Sequence, residues 1–271
     1  MRRIASRQNP IVARYRQAAH GAGDDLLLDG AHLVADAIAC GIRIADAAVT
    51  TEAGDREEVR ALVDRLVKAG VDVASVTGPV MAALSPVRSS SGIVAIAARP
   101  NRSAAIYGDG RIAPLLLVAI AVQDPGNLGA LVRVAEAAGA TGIVAAGASA
   151  NPYSWKALRG SMGSALRLPM AVEPRGSYLD EPRRRRCKVV ATVPRGGTPL
   201  FEAELDGPLA ILVGGEGAGL SEETVATADI RVSIPMEAPV ESLNTAVSAA
   251  LLVYEARRQR QRARLEPAAV S

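Results

Sequence analysis

The chain has few cysteines, histidines and aromatic residues. Its 271 residues include two cysteines, two histidines, one phenylalanine and one tryptophan. Cys40 and Cys187 lie far apart in sequence, so they form neither a disulfide framework nor a zinc-ligand pattern. His20 and His32 have no cysteine or second histidine beside them. We therefore expect no metal site, and a reducing compartment fits best, because disulfides persist mainly in oxidising ones.

Long hydrophobic runs are also absent. No apolar segment approaches the ~20 residues that a membrane-spanning helix needs. Met1-Arg2-Arg3 is basic, but no long apolar segment follows it, so the amino terminus does not resemble a secretory signal. We therefore expect a soluble, cytoplasmic protein that makes no contact with a membrane.

Arginines are clustered in a chain whose net charge is +3 and whose pI is near 9.1. Every charged residue in 1–19 is an arginine, and four arginines follow one another at 183–186. Such a cluster either forms a solvated surface or contacts the phosphates of nucleic acid. Both interpretations stand for 1–19, whereas a solvated edge is the better interpretation of 183–186.

Strands and helices alternate in the first hundred residues. The apolar patterns predict strands at 26–28, 45–50, 71–76 and 92–98, and helices at 31–39, 57–69 and 80–84. This alternation predicts a small α/β domain at 1–100. Residues 101–113 place Gly, Asp and Arg between two apolar strands, and we expect them to form a linker.

The rest of the chain has longer apolar runs, as expected for strands that are buried on both faces. Strands are predicted at 115–122, 142–146, 188–192 and 209–213, and a further strand ends at Ile234. Three of these strands are followed by a polar or glycine-rich loop. Because loops after parallel strands gather at one edge of a sheet, these three loops should form one site. The predicted second domain spans 114–262, and 263–271 form a flexible tail.

The first of these loops, 123–127, leads into a predicted helix at 128–138. Asn127 can act as the N-cap of this helix. Arg133 lies two turns further on, between Val132 and Val134. An apolar neighbourhood of this kind does not suit an arginine that has no function.

The second loop, 214–219, contains four glycines around Glu216 and Ala218. It is not a Walker loop, because no Gly-Lys-Ser/Thr follows. It is also a poor dinucleotide loop, since Glu216 would repel a pyrophosphate and the loop lies far from the first strand, which argues against a dehydrogenase. We expect these glycines to let the chain turn sharply and approach a flat, uncharged ligand such as adenine. Ser221 then caps a helix.

The third loop, 235–244, contains two prolines and leads into an amphipathic helix. Ser242 is the predicted N-cap of this helix. The helix has one predicted apolar face, which is formed by Val247, Ala250, Leu251 and Tyr254.

The three loops carry a resemblance to a known family. The segments DPGNLGALVRVAEAAGATGIV (124–144), ILVGGEGAGLS (211–221) and IPMEAPVESLNTAVSAALLVYEA (234–256) resemble, in this order, the three motifs of the SpoU/TrmH family of RNA ribose 2′-O-methyltransferases, within the SPOUT superfamily. The segment 26–50 resembles the α/β substrate-binding domain that often precedes the catalytic domain in this family.

The resemblance implies an α/β fold, with a carboxyl-terminal SPOUT domain that has a parallel sheet and a deep trefoil knot, preceded by a small α/β substrate-binding domain. It implies S-adenosylmethionine as the cofactor and a homodimer formed by the helix at 243–258, with the arginines of 257–264 near bound RNA. The implied substrate is ribosomal RNA, because that accessory domain is common among members that act on it. The alternatives are a transfer-RNA 2′-O-methyltransferase and a catalytically inactive RNA-binding SPOUT protein.

The resemblance also implies roles for individual residues. The catalytic residues would be Arg133, Asn127, Glu216, Ser242 and Asn244, and the cofactor-binding residues Thr192, Gly214, Gly215, Ile234, Met236 and Leu243. Because an arginine stays protonated, we expect Arg133 to pair with an RNA phosphate and to stabilise the developing alkoxide rather than to act as a base. Asn127 would orient the ribose, and Glu216 would hold either Arg133 or its own loop.

Overall fold

The computed structural model of the protein describes residues 1–21, 23–88, 90–173 and 177–265. The strands are β1 Arg2–Ile4, β2 Asp25–Asp29, β3 Ile44–Thr50, β4 Asp72–Val76, β5 Ile93–Ala98, β6 Leu115–Ile120, β7 Gly142–Ala146, β8 Met170–Glu173, β9 Lys188–Thr192, β10 Thr198–Pro199, β11 Leu209–Gly214 and β12 Ile230–Ser233.

The helices are α1 Ile11–Ala19, α2 Ala31–Ala39, α3 Thr51–Gly54, α4 Glu57–Lys68, α5 Gly78–Leu84, α6 Pro125–Ala137, α7 Trp155–Ser161, α8 Ser164–Arg167, α9 Asp180–Arg184, α10 Glu222–Ala226 and α11 Thr245–Leu265. Two short 3₁₀ turns lie at Ser103–Ala105 and Leu200–Glu202. The predicted flexible tail, 263–271, therefore begins inside α11, and 266–271 lie outside the described residues.

The chain folds into two compact units. One consists of Met1–Asn101 with Asn151–Arg167, and the other of Arg102–Ala150 with the chain from Leu168 onward. The segment Asn151–Arg167 thus belongs to the first unit, although the predicted second domain included it. Its helix α7 packs on β2. The apolar pattern of α7 shows that one face is buried, but it does not show which sheet covers that face.

The predicted linker, 101–113, is only partly a connector. Ile106 and Tyr107 are buried in the hydrophobic core of the second unit, together with side chains such as Leu116 and Val189. The start of the second unit is therefore anchored before its first strand begins.

The first unit is built on a five-stranded mixed sheet with the order β1-β4-β3-β5-β2. β1 and β3 run parallel to β4, while β2 and β3 run antiparallel to β5. Helices α1 and α5 pack against each other, and Tyr15 of α1 and Leu84 of α5 are fully buried in the same core. The predicted α/β character of residues 1–100 is confirmed, and β1 is an additional strand.

The second unit is built on a seven-stranded sheet with the order β10-β12-β9-β11-β6-β7-β8, in which every pair of neighbours is parallel. The predicted parallel sheet is therefore confirmed. The register places Gly214 at the end of β11 beside Ile120 at the end of β6, and Val232 of β12 beside Thr192 at the end of β9. The carboxyl ends of these strands consequently share one edge of the sheet.

Helix α11 is apolar on two sides. Its contacts with α6 and β11 bury Ala249, Leu252, Val253 and Ala256. The face predicted from the sequence is a different one, since Val247, Leu251 and Tyr254 are all exposed. The helix thus has a buried face that fixes it to the second unit and an exposed apolar face.

Two arginines of α11 make hydrogen bonds within the protein, and those of Arg260 hold the helix in place. Arg260 donates to the carbonyl oxygens of Ala113 (2.9 Å), Pro114 (2.8 Å) and Gly207. Arg258 donates twice to the buried Glu255 carboxylate, which holds the pKa of Glu255 below its ordinary value. Arg258 and Arg260 are thus bound to the protein itself, and the position of residues 257–264 near bound RNA stays a prediction.

Cys40 and Cys187 are free thiols, and burial raises the pKa of Cys187. Among the residues that the structure describes, no helix combines the length and the apolar character of a membrane span, and no group of three or more His, Cys, Asp or Glu side chains could hold a metal ion.

We predict that Arg260→Ala lowers the free energy of unfolding by about 1–3 kcal/mol, because it leaves the part-buried Gly207 carbonyl group without a donor. Denaturant unfolding followed by circular dichroism measures this change. Gln261→Ala, an exposed neighbour on the same helix, is the control and should leave stability unchanged. Equal stability of the two variants would contradict the structural role of Arg260.

Candidate active site

A cleft of about 540 Å³ lies in the second unit at the carboxyl edge of the parallel sheet. Three stretches of chain line it: the turn after β9, the glycine loop after β11, and the segment between β12 and α11. All the residues predicted to bind the cofactor line this cleft, namely Thr192, Gly214, Gly215, Ile234, Met236 and Leu243. The predicted catalytic residues Glu216, Ser242 and Asn244 line it as well.

The glycine loop is held by its own backbone. The Gly215 N–H donates to the Ile120 carbonyl oxygen (2.9 Å), and the Gly219 N–H donates to the Gly215 carbonyl oxygen (3.1 Å). A Cβ on Gly214 would collide with the backbone of Gly219, and one on Gly215 with the carbonyl oxygen of Ala121.

These two glycines are therefore required by close packing of the protein's own backbone. The expectation that this loop also lets a flat ligand approach stays a prediction. Gly217 differs from these two glycines, because its φ of +86° needs glycine while a Cβ there would meet open space.

Asn244, and not Ser242, is the N-cap of α11. The Asn244 Oδ1 accepts from the N–H groups of Ala246 (2.9 Å) and Val247 (3.4 Å). Helix α11 begins at Thr245, and only the residue just before a helix can reach the free N–H groups of its first turn. The prediction for Ser242 is wrong because the loop continues two residues further than expected.

Asn127 is likewise not an N-cap. Asp124 caps α6, since its side chain accepts from the Asn127 N–H (3.0 Å) and Pro125 occupies the first helical position. The side chain of Asn127 is thereby free for other contacts. The capping Asp124 was missed, although an Asp immediately before a Pro is a recognisable helix start.

The side chains of three loops form one hydrogen-bonded chain. The Asn244 Nδ2 donates to the Asn127 Oδ1 (3.2 Å), and the Asn127 Nδ2 donates to the Glu216 Oε1. These contacts fix the amide orientation of Asn127 from both sides. They bring together one residue from each of the three motifs quoted above.

Thr245 is a further site residue that sequence reasoning missed. Its side chain is buried at the base of the cleft, and its Oγ1 donates to the Gly214 carbonyl oxygen (3.1 Å). The start of α11 is thus tied to the end of β11. The available signal was a hydroxyl residue directly after Asn244, at the start of the apolar part of the predicted helix.

Arg133 is an exposed residue of α6. The buried face of this helix consists of other residues, among them Leu131, Val132 and Ala135. Within the described part of the chain, Arg133 makes no hydrogen bond or ion pair. Of the two partners expected for Glu216, Arg133 and its own loop, Arg133 is excluded, because Glu216 accepts from Asn127 instead. The guanidinium group of Arg133 is therefore available to an anion from outside the protein.

The lining of the cleft suits a ligand that combines an apolar part with polar groups, such as S-adenosylmethionine. Ile234, Met236 and Leu243 supply apolar side chains, and Thr192 supplies a hydroxyl group. The backbone N–H groups of Ile234 and Leu243 donate no hydrogen bond within the described residues, so they can serve ligand acceptors. A volume of about 540 Å³ is in the usual range for cofactor sites.

Comparisons with known proteins agree with this arrangement. The model of the SpoU rRNA Methylase family matches residues 114–254. An uncharacterized tRNA/rRNA methyltransferase of Synechocystis is 35% identical, over 94% of this chain and 93% of its own length. A 23S rRNA guanosine 2′-O-methyltransferase of Bacillus subtilis is 31% identical, over 85% of this chain and 88% of its own length.

Solved structures show the same similarity. A crystal structure of an RNA 2′-O ribose methyltransferase has a TM-score of 0.79 and 33% identity, covering 96% of this chain and 99% of its own. The SpoU methyltransferase AviRb from Streptomyces viridochromogenes, in complex with the cofactor AdoMet, has a TM-score of 0.84 and 26% identity, covering 94% and 99%.

We predict that Gly215→Ala weakens S-adenosylmethionine binding by at least about 10-fold, because the added Cβ forces β11 away from the Ala121 turn and distorts the loop. Isothermal titration calorimetry measures the affinity. Gly207→Ala, where a Cβ would meet nothing within 4 Å, is the matched control and should bind as the wild type does. Unchanged affinity in a folded Gly215→Ala protein would contradict this account of the loop.

Proposed function

This chain belongs to the SpoU rRNA methylase family, and we propose that the cleft at the carboxyl edge of its parallel sheet is where it methylates RNA. The chain is an S-adenosylmethionine-dependent enzyme that methylates a ribose 2′-hydroxyl of ribosomal RNA. The observation that carries the proposed site is the convergence of Asn127, Glu216 and Asn244 from three loops beside one cleft.

The cofactor site is formed largely by backbone. The backbones of Gly214, Ile234 and Leu243 would hold S-adenosylmethionine, with Met236 as an apolar wall and Thr192 as a polar contact. When bound, the cofactor supplies a methyl group on a sulfonium, which is a good leaving group. The remaining chemistry concerns the ribose oxygen, and it falls to the side chains beside the cleft.

A ribose 2′-hydroxyl is a poor nucleophile until it loses its proton. A cation close to the oxygen stabilises the developing alkoxide. Arg133 suits this role, because its guanidinium is permanently protonated and is not neutralised by any acidic side chain of the described residues. In the proposed arrangement it also binds the neighbouring RNA phosphate, and that phosphate or water takes the proton.

Asn127 is positioned to orient the ribose. Its Oδ1 accepts one hydrogen bond and its Nδ2 donates one, which leaves a lone pair and an N–H for the substrate. Glu216 therefore acts through Asn127 rather than through Arg133. The Ser242 hydroxyl lines the cleft and makes no hydrogen bond to the described residues, so it remains available for the ribose or the cofactor.

We predict that Arg133→Ala lowers kcat by at least about 10²-fold, the usual effect of removing a group that stabilises an oxyanion. S-adenosylmethionine affinity should stay within a few-fold of the wild type, because Arg133 does not line the cleft. Methyl transfer to ribosomal RNA with labelled cofactor gives kcat, and calorimetry gives the affinity. Turnover close to that of the wild type would exclude Arg133 from the mechanism.

The first unit is the proposed RNA-selecting module. All the proposed catalytic and cofactor residues belong to the second unit, so the first is free to contact parts of the RNA away from the methylated ribose. A truncation cannot test this cleanly. Removing 1–100 would strip the packing partners of Asn151–Arg167, where Asn151 donates to the Gly21 carbonyl oxygen (2.8 Å) and Arg167 pairs with Asp36 (3.3 Å).

We propose a homodimer formed through the exposed apolar face of α11. Val247, Leu251 and Tyr254 lie at i, i+4 and i+7 and are 48%, 38% and 49% exposed. Apolar side chains aligned in this way on a helix surface favour burial against a partner. The trefoil knot and the cytoplasmic location stay predictions.

We predict that Leu251→Glu converts the dimer to a monomer at micromolar concentration, because a charge in an apolar interface is strongly unfavourable. Light scattering during size-exclusion chromatography measures the mass. Val67→Glu is the matched control, since Val67 is an exposed apolar residue of α4 in the first unit and is 53% exposed. A Leu251→Glu protein that is still dimeric would exclude this face as the interface.

A further inference from the structure

Two arginines of the amino-terminal segment are anchored on helix α5. The Arg7 Nε donates to the Pro79 carbonyl oxygen (2.8 Å), and the Arg16 Nε donates to the Ala83 carbonyl oxygen (3.4 Å). Both side chains are exposed. The two carbonyl groups are four residues apart on one helix, so the anchoring points are separated by ~6 Å along its axis. We call Arg7 and Arg16 the α5 arginine pair.

This anchoring orients each guanidinium group but does not neutralise it. Each arginine uses only its Nε–H, and within the described residues neither Nη group of Arg7 or Arg16 has a partner. The Nη groups of a guanidinium form a fork that matches the oxygens of a phosphate. Because the Nε contact already restricts the side chain, less conformational entropy is lost when an anion binds.

The other paired arginines of this segment face acidic residues. Arg2 pairs with Asp72 (3.2 Å), and Arg14 pairs with Asp25 (2.9 Å) and Asp46 (2.6 Å). Arg14 and Arg16 lie on opposite sides of α1, because residues two apart on a helix do not share a face. One side of α1 is therefore neutralised within the protein, whereas the side that meets α5 stays positive.

The sequence supports a positive surface at this place. Residues 1–23 and residues 73–108 contain no aspartate or glutamate, and the helices α1 and α5 that pack together come from these two stretches. Arg88, which follows α5, is exposed and adds to the positive charge. Asp29 lies beside the end of α5, where it accepts a hydrogen bond from Ser85.

We propose that the α5 arginine pair binds two neighbouring phosphates of the substrate RNA, one on each guanidinium. The two carbonyl groups that anchor these arginines lie about one helical turn apart, a separation that suits consecutive phosphates of one RNA strand. Contacts of this kind fix the register and orientation of the RNA and do not read its sequence. The inference rests on the proposed role of the first unit in RNA binding and deepens it to named residues.

The test is the double variant Arg7→Gln/Arg16→Gln of the full-length protein. Its affinity for a labelled single-stranded oligoribonucleotide of mixed sequence is measured by fluorescence anisotropy over a range of salt concentrations. Loss of two phosphate contacts should reduce the slope of log affinity against log salt by about 1.4 and weaken binding by about 10-fold. With purified bacterial 23S rRNA, KM should rise while kcat at saturating RNA stays the same.

The matched control is Arg65→Gln/Lys68→Gln, which removes the same charge from the exposed surface of α4 in the same unit. This control should keep the wild-type salt slope. The proposal that the α5 arginine pair binds RNA phosphates is excluded if the double variant keeps the wild-type salt slope and KM. It is also excluded if the control loses as much affinity as the double variant does. If the wild type itself neither binds nor methylates ribosomal RNA, the proposed function fails together with this inference.

Discussion

The approach of the Gly215 backbone to the Ala121 backbone is the contact on which the site depends. A Cβ at Gly215 would collide with the Ala121 carbonyl oxygen, so only glycine lets the end of β11 reach the turn after β6. The Gly215 N–H donates to the Ile120 carbonyl oxygen, and this hydrogen bond holds the two backbone segments together. The next residue, Glu216, can then meet Asn127 at the start of α6. A residue without a side chain thus determines which side chains meet in the cleft.

Asn127 is held by hydrogen bonds from two loops, whereas Arg133 has no partner among the described residues, and this difference follows from the chemistry of the two side chains. Asn127 is neutral, so hydrogen bonds to Asn244 and Glu216 can hold it in place and still leave a lone pair and an N–H for the ribose contact that we propose. An arginine held by a carboxylate would lose much of its effect on a developing alkoxide. Arg133 is exposed and has no such partner among the described residues, so its positive charge is not neutralised by them.

The sequence predicts the strands of the second unit well, because β6, β7 and β11 consist almost entirely of Leu, Val, Ile and Ala, as is typical of strands buried on both faces. Ser221 was also confirmed as an N-cap. The prediction that Ser242 is an N-cap is wrong. Serine and asparagine are both good N-cap residues, and the path of the loop places Asn244, rather than Ser242, next to the helix. The prediction that Asn151–Arg167 belongs to the second domain is wrong, because an apolar helix face does not show which sheet covers it.

Composition does not predict which arginines are available to bind RNA. Their number indicates a nucleic-acid partner, but many of them are used inside the protein: Arg260 holds three carbonyl groups, and Arg14 holds two aspartates. An arginine whose Nη groups already have partners must give up those hydrogen bonds to bind a phosphate, so the number of arginines alone does not locate a surface for RNA. Arg7 and Arg16 differ from these arginines because each donates to a carbonyl oxygen through Nε alone. This contact orients the two Nη groups of each guanidinium without neutralising its charge. Only the fold can create that difference, because it depends on which helix lies beside each side chain.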